Sequence, residues 1–134
     1  MSFFRVKYLS FFFILISIFS FFNIIYSYYF NLYLNLNTYY FSFIVSAVIG
    51  LLFYKIRTSE RKSTIFEKIA TVLLGYFLMP LVLSLPFYLS IYNLTFLNAF
   101  FEAISGFTST GFTIFENIKH IDQGLILWRS SIQW

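Results

Sequence analysis

The chain has 134 residues, of which 60% are hydrophobic and 10% charged, and a formal net charge of +4. A soluble domain carries about 25% charged residues, so this sequence reads as a membrane protein rather than a soluble one. It has no cysteine and one histidine, which excludes disulfides and thiolate metal sites and leaves His120 without the companions that a metal site needs.

No charged side chain occurs from Tyr8 to Phe30, from Asn31 to Tyr54 or from Ile69 to Phe101. Each gap can hold a span of about 20 residues. The basic residues Arg5, Lys7, Lys55, Arg57, Arg61, Lys62 and Lys68 all flank these spans. That is the pattern of cytoplasmic orientation signals, so the positive charge does not point to nucleic acid. The expected partner of the surface is a lipid bilayer.

The first span runs from about Tyr8 to Phe30, a helix of roughly 34 Å. It is longer than the h-region of a signal peptide, about 7–15 residues, and no small-residue cleavage site follows. It is therefore expected to be retained. Tyr26, Tyr28, Tyr29 and Tyr33 suit a membrane–water interface, and Asn31 to Thr38 reads as an uncharged outer loop. The second span runs from about Tyr39 to Tyr54 or Ile56, and its small residues Ser46, Ala47 and Gly50 permit close helix approach. The stretch from Lys55 to Lys68 is expected to be a cytoplasmic loop. The third span runs from about Ile69 to Tyr92 and contains Pro80 and Pro86, which predict a bent helix, with a gating hinge as the alternative.

Leu94 to Ser105 is apolar but too short to cross a bilayer; that length suits a re-entrant half-helix or a buried core helix. Thr95 can cap its start, and Gly106 is a natural stop. The C-terminal end of such a helix would bring partial negative charge to the string Thr108-Ser-Thr-Gly111, favouring a cation there. Irregular polar backbone at membrane depth is tolerated only where protein buries it or where it lines a wet cavity. Rings of backbone carbonyls replace the hydration shell of an ion in selectivity filters, and Gly111 can supply the dihedrals this needs. An ordinary Thr/Ser/Gly connector is the alternative. Glu102 lies on the short helix, where a buried acid needs partners. Hydrogen bonds to backbone or side chains behind the loop are expected, with tuning of the pore potential as the other role. Arg129 is expected to pair with Glu102 or Asp122 or to snorkel, and Trp128 and Trp134 read as packing and interface residues. A polar loop with Glu116, Lys119, His120 and Asp122 leads to an apolar stretch from Gly124. About 10 residues cannot complete a crossing, so the last helix is expected to be cut off, as in a truncated reading frame or a fragment.

The string Ala99-Phe-Phe-Glu-Ala-Ile-Ser-Gly-Phe-Thr-Ser-Thr-Gly-Phe-Thr113, followed by Gly124-Leu-Ile-Leu-Trp-Arg-Ser-Ser-Ile-Gln-Trp134, resembles the first pore repeat of the Trk/Ktr/HKT superfamily of potassium transporters, most closely its TrkH branch. The resemblance covers about Glu67 to Trp134, including Leu85-Pro86-Phe87. It implies an all-α membrane protein with two N-terminal transmembrane helices in 1–66 and a first pore repeat in 67–134. That repeat would comprise an outer helix 69–92, a re-entrant pore helix 95–106, a filter loop 108–113 and the start of an inner helix 124–134. The carbonyls of Ser109 and Thr110 would bind potassium, with Thr108 and Gly111 supporting the filter. Ser109 stands where Thr is frequent in the family, a change of little consequence for a backbone ligand.

In that family four such repeats surround one pore, the full-length proteins are usually homodimers, and a cytoplasmic nucleotide-binding protein gates them. The resemblance thus implies potassium uptake across the cell inner membrane by a multi-pass protein with a cytoplasmic N-terminus and no cofactor, potassium being the substrate. Channel-like transport and symport both stay open. Three repeats and the family's mid-pore gating loop are not in this sequence, and one repeat alone should not close a filter. The competing expectation is a non-conducting gene remnant, or an interaction module that needs a separately encoded remainder. No HExxH, GxSxG or paired intramembrane carboxylates occur, so no enzyme is expected.

Overall fold

The computed structural model describes residues 6–56, 64–117 and 120–133, with side chains from Tyr8 onward. The sequence-based assignments to Arg5, Lys7, Arg57, Arg61, Lys62, Lys119 and Trp134 fall outside the described backbone or side chains. The described residues form six α-helices: α1 (Val6–Tyr29), α2 (Leu36–Lys55), α3 (Ile65–Leu83), α4 (Leu85–Tyr88), α5 (Phe96–Phe107) and α6 (Gln123–Ile132). Three helical stretches, Tyr8–Tyr29, Leu36–Lys55 and Ile65–Tyr88, are long and apolar enough to cross a membrane. Phe11, Phe22, Leu51, Leu73 and Phe77 stay exposed along them. Side chains of this kind on outward faces have lipid as their natural solvent. The protein is an all-α membrane protein.

The first two helices form an antiparallel hairpin. α1 ends in a Schellman motif: Leu32 N–H donates to the Ser27 carbonyl at 2.8 Å and Asn31 N–H to Tyr28 at 3.3 Å. Asn31 takes the left-handed position at φ 55°, one of the few residue types that do so at modest cost. The hairpin seam is lined with small polar residues rather than bulky apolar ones. Ser10, Ser17, Ser20 and Ser27 of α1 and Thr38, Ser42 and Ser46 of α2 are all buried. Ser20 Oγ lies 3.3 Å from Ser42 Oγ, and Ser46 returns its hydroxyl to the Ser42 carbonyl at 2.7 Å.

Lipid tails are as apolar as leucine, so such helices associate through close packing at small residues. Gly50 carries this furthest. A Cβ there would lie 3.0 Å from Ile14 Cγ1 and 3.2 Å from the Ile14 backbone nitrogen. Backbone cannot yield as a side-chain tip can, so Gly50→Val is expected to force the helices apart and cost about 1–3 kcal/mol. Thermal unfolding of the purified chain in detergent checks this, with Val48→Leu on the exposed face of α2 as the neutral comparison.

Three boundaries differ from the sequence reading: α2 begins at Leu36, inside the stretch Asn31 to Thr38 expected to be an outer loop, and two more lie in the third span. α3 begins at Ile65, inside the stretch expected to be loop. Thr64 Oγ1 accepts from Glu67 N–H while a Glu67 carboxylate oxygen accepts from Thr64 N–H, both at 3.3 Å. This capping box satisfies two donors at the helix start. The third span is also not one bent helix to Tyr92. It breaks at Ser84, and α4 ends at Tyr88.

Pro80 sits within α3, and Pro86 occupies the second position of α4, where a missing N–H costs nothing. The break leaves the Leu83 carbonyl without a helical donor, and Trp128 Nε1–H of α6 reaches it at 3.1 Å. Trp128, only 1% exposed, centres a core with Tyr39, Phe13, Phe87 and Leu125. The core thereby ties α6 to the break in the third span, and α6 in turn faces α5.

Candidate functional site

The polar string follows α5. Thr95 caps the start of this helix, accepting from Asn98 N–H at 3.3 Å. The expected stop at Gly106 is corrected. Gly106 is buried within the last turn, and a Cβ there would lie 3.0 Å from Ile132 Cγ2 of α6, so its smallness serves helix contact. The helix ends one residue later, at Phe107, and closes with a second Schellman motif. Ser109 N–H donates to the Gly106 carbonyl at 2.8 Å and Thr110 N–H to Ser105 at 3.0 Å. Ser109 holds the left-handed position at φ 55°, which glycine usually fills. Gly111 also lies at positive φ, 79°. Two left-handed residues in three turn the chain sharply away from the helix axis.

Hydroxyls fix this path from behind. Thr108 donates to the Ile104 carbonyl at 2.8 Å and lies 3.3 Å from Thr110 Oγ1. The Thr110 hydroxyl is 3.2 Å from both the carbonyl and the hydroxyl of Ser105. Ser105 is itself 3% exposed and donates to the Phe112 carbonyl.

The outgoing limb is held by charge. Glu102, fully buried on α5, accepts from Thr113 Oγ1 at 2.7 Å and from Ile114 N–H at 2.6 Å through one oxygen. Its other oxygen lies 2.9 Å from Arg129 Nη1. Arg129 Nη2 donates to the carbonyls of Phe112 at 2.9 Å and Gly111 at 3.3 Å. Of the partners open to Arg129 from sequence, the structure selects Glu102. Asp122 goes elsewhere, accepting from Asn35 Nδ2 at 3.2 Å.

These bonds leave one edge of the loop free. Residues 108–111 are exposed, and among the described residues no hydrogen bond ends on the carbonyl of Ser109 or Thr110. The C-terminal end of α5 adds its partial negative charge beside them. Bare peptide oxygens, a negative helix terminus and a rigid support make a surface that can take a desolvated monovalent cation from one side. Among the described residues no cluster of His, Cys, Asp and Glu is arranged for a metal ion.

Ser105 and Thr113 were not singled out from sequence. Their signal was present: Ser105 stands one turn before the left-handed Ser109 and Thr113 two residues past the left-handed glycine, both positions where hydroxyls brace a turn.

An uncharacterized cation transporter of Methanocaldococcus jannaschii is 26% identical over 107 residues, 78% of this chain and 22% of that protein. The Trk system potassium uptake protein TrkI of Halomonas elongata is 45% identical over 51 residues, 38% of this chain and 10% of that protein. The Trk system potassium uptake protein TrkH of Escherichia coli is 30% identical over 93 residues, 69% of this chain and 19% of that protein. The chain thus spans about a fifth or less of the length of these relatives. No protein-family model and no solved structure matches it. These relatives are transporters by name, and together with the all-helical membrane fold they identify the chain as a member of the Trk/TrkH-type superfamily of potassium transporters.

Proposed function

We propose that this chain supplies one filter-bearing repeat to a Trk-type potassium uptake protein, with the carbonyls of Ser109 and Thr110 as potassium ligands. The observation that carries this is the division of labour in the loop. The carbonyls of Gly111 and Phe112 are consumed by Arg129, while those of Ser109 and Thr110 stay free on an exposed edge. Thr108 and Gly111 shape that edge, one by its bond to α5 and the other by its positive φ. A single loop offers oxygens from one side only, and a filter surrounds its ion with about four such loops. The remaining repeats therefore have to come from further protein.

In this reading residues 1–66 form the N-terminal helix pair and 67–134 the pore repeat, with α5 as a re-entrant helix. The N-terminus lies in the cytoplasm of a cell whose inner membrane the protein crosses several times, and the loop dips in from the outer side. Permeation is driven by the gradient and the membrane potential, worth about 2.3 kcal/mol per charge per 100 mV. It needs no cofactor and no covalent step. A homodimeric full-length assembly and a cytoplasmic nucleotide-binding regulator belong to the same proposal.

Expression of the gene carrying this chain in a host without potassium uptake tests it. Growth at limiting potassium is the expected result. A protein that reaches the membrane and gives neither growth nor rubidium uptake contradicts the proposal.

A further inference from the structure

Where α1, α2 and α6 meet, the fold buries oxygens that its own side chains do not serve. Ser27 and Tyr39 are fully buried, and among the described residues neither hydroxyl has a hydrogen-bonding partner. Asp122, 9% exposed, precedes α6 and accepts from Asn35 Nδ2. The three side chains converge on Gly124. A Cβ built there would lie 2.9 Å from Tyr39 Oη, 3.1 Å from Asp122 Oδ2 and 3.4 Å from Ser27 Oγ, so all three oxygens crowd the same side of Gly124, where only a hydrogen fits. One turn along α1, Asn23 Oδ1 is also buried and unpartnered.

Leaving a buried hydroxyl unserved costs free energy, and a ligand shared between these oxygens would satisfy the set. A monovalent cation would suit the oxygens but could not accept the phenol proton of Tyr39. Serine in a helix can return its proton to the carbonyl four residues back; Tyr39 has no such recourse. A water molecule accepts from Tyr39 and donates to Asp122 Oδ2 and Ser27 Oγ, and three hydrogen bonds are the usual complement of a buried water.

We propose that Ser27, Tyr39 and Asp122 form a binding site for a single water molecule, which joins the N-terminal helix pair to the start of α6. Asn35 runs beside this bridge, giving Nδ2–H to Asp122 and accepting from Ile91 N–H at 3.1 Å. The site thus holds the beginning of the helix that, five residues on from Gly124, presents Arg129 to the loop carbonyls. It is independent of the transport reading, since it concerns only contacts within this chain.

A crystal structure of the full chain from a lipid mesophase containing rubidium, at a resolution that reveals ordered solvent, is the test. The expected result is one density peak within about 2.7–3.2 Å of Tyr39 Oη, Ser27 Oγ and Asp122 Oδ2. It should give no anomalous rubidium signal and should vanish in Tyr39→Phe. An anomalous peak there would make the site a cation site and overturn the water assignment. Absence of any peak, with the hydroxyls bonded directly to Asp122, would overturn the site itself.

Discussion

Glu102→Leu is expected to unfasten the loop from α5 and to abolish uptake by the proposed transporter. The glutamate is fully buried and serves three partners at once: Thr113, Ile114 and Arg129. Its removal strands a guanidinium that is only 15% exposed and leaves the Ile114 N–H without its acceptor. Removing one member of a buried pair costs about 3–5 kcal/mol, chiefly because the other charge stays behind. Replacing both members behaves differently. Glu102→Leu combined with Arg129→Met takes both charges out, and buried pairs replaced by apolar residues are often neutral in stability. The double variant should recover most of the thermal stability lost by the single one.

It should not recover uptake, because the carbonyls of Gly111 and Phe112 lose the donors that orient them. Thermal unfolding of the three proteins, read beside rubidium uptake in the transport-deficient host, separates fold from loop. Wild-type unfolding in Glu102→Leu would show that the contact does not hold the loop.

Gly111→Asp is expected to eliminate growth at limiting potassium while leaving the chain folded. At φ 79° a β-carbon is strained whatever the space around it, and nothing lies within 4 Å of where it would stand. The cost is therefore conformational, about 1–2 kcal/mol, and the relaxation it provokes turns the Thr110 and Gly111 carbonyls. Aspartate also sets a fixed charge at an exposed edge that works through neutral carbonyl dipoles. Gly111→Asn keeps the left-handed conformation at lower cost and adds no charge, so it should retain part of the growth. The ranking wild type, Asn, Asp is the prediction, and equal growth by Gly111→Asp and wild type would refute the role given to this glycine.

Much of the fold lay open in the sequence because lipid imposes a simple rule: uncharged apolar runs become helices, since backbone groups have no other partner there. That rule locates α1, α2 and the short α5. It does not locate the start of α3, where the capping box Thr64-Ile-Phe-Glu67 extends the helix into a stretch whose basic charge suggested a loop. Nor does it foresee that the third span breaks at Ser84 rather than bending, or that Trp128 of a distant segment takes the Leu83 carbonyl the break leaves free.

At the site, the loop was marked by composition, but its brace was divided between residues far apart in sequence. Glu102 and Arg129 could each be seen to need a partner, and only the fold decided that they share one. The seam of serines in α1 was legible in principle through its spacing of seven, three and seven residues. Against a background of phenylalanine and isoleucine it registered as a scatter of tolerated polar residues, because the helix it packs against is not visible along one strand of text.

The absence of cysteine from the chain permits the most direct test of the central claim, that an ion meets the loop at Ser109 and Thr110. A Ser109→Cys substitution, made the sole cysteine of the complete transporter by replacing any cysteine outside this chain, can be exposed to a charged, membrane-impermeant thiol reagent in intact cells. The account predicts modification from the outer side, slowed by potassium in the medium and unaffected by choline. Modification only from the cytoplasmic side, or at a rate indifferent to potassium, would contradict it.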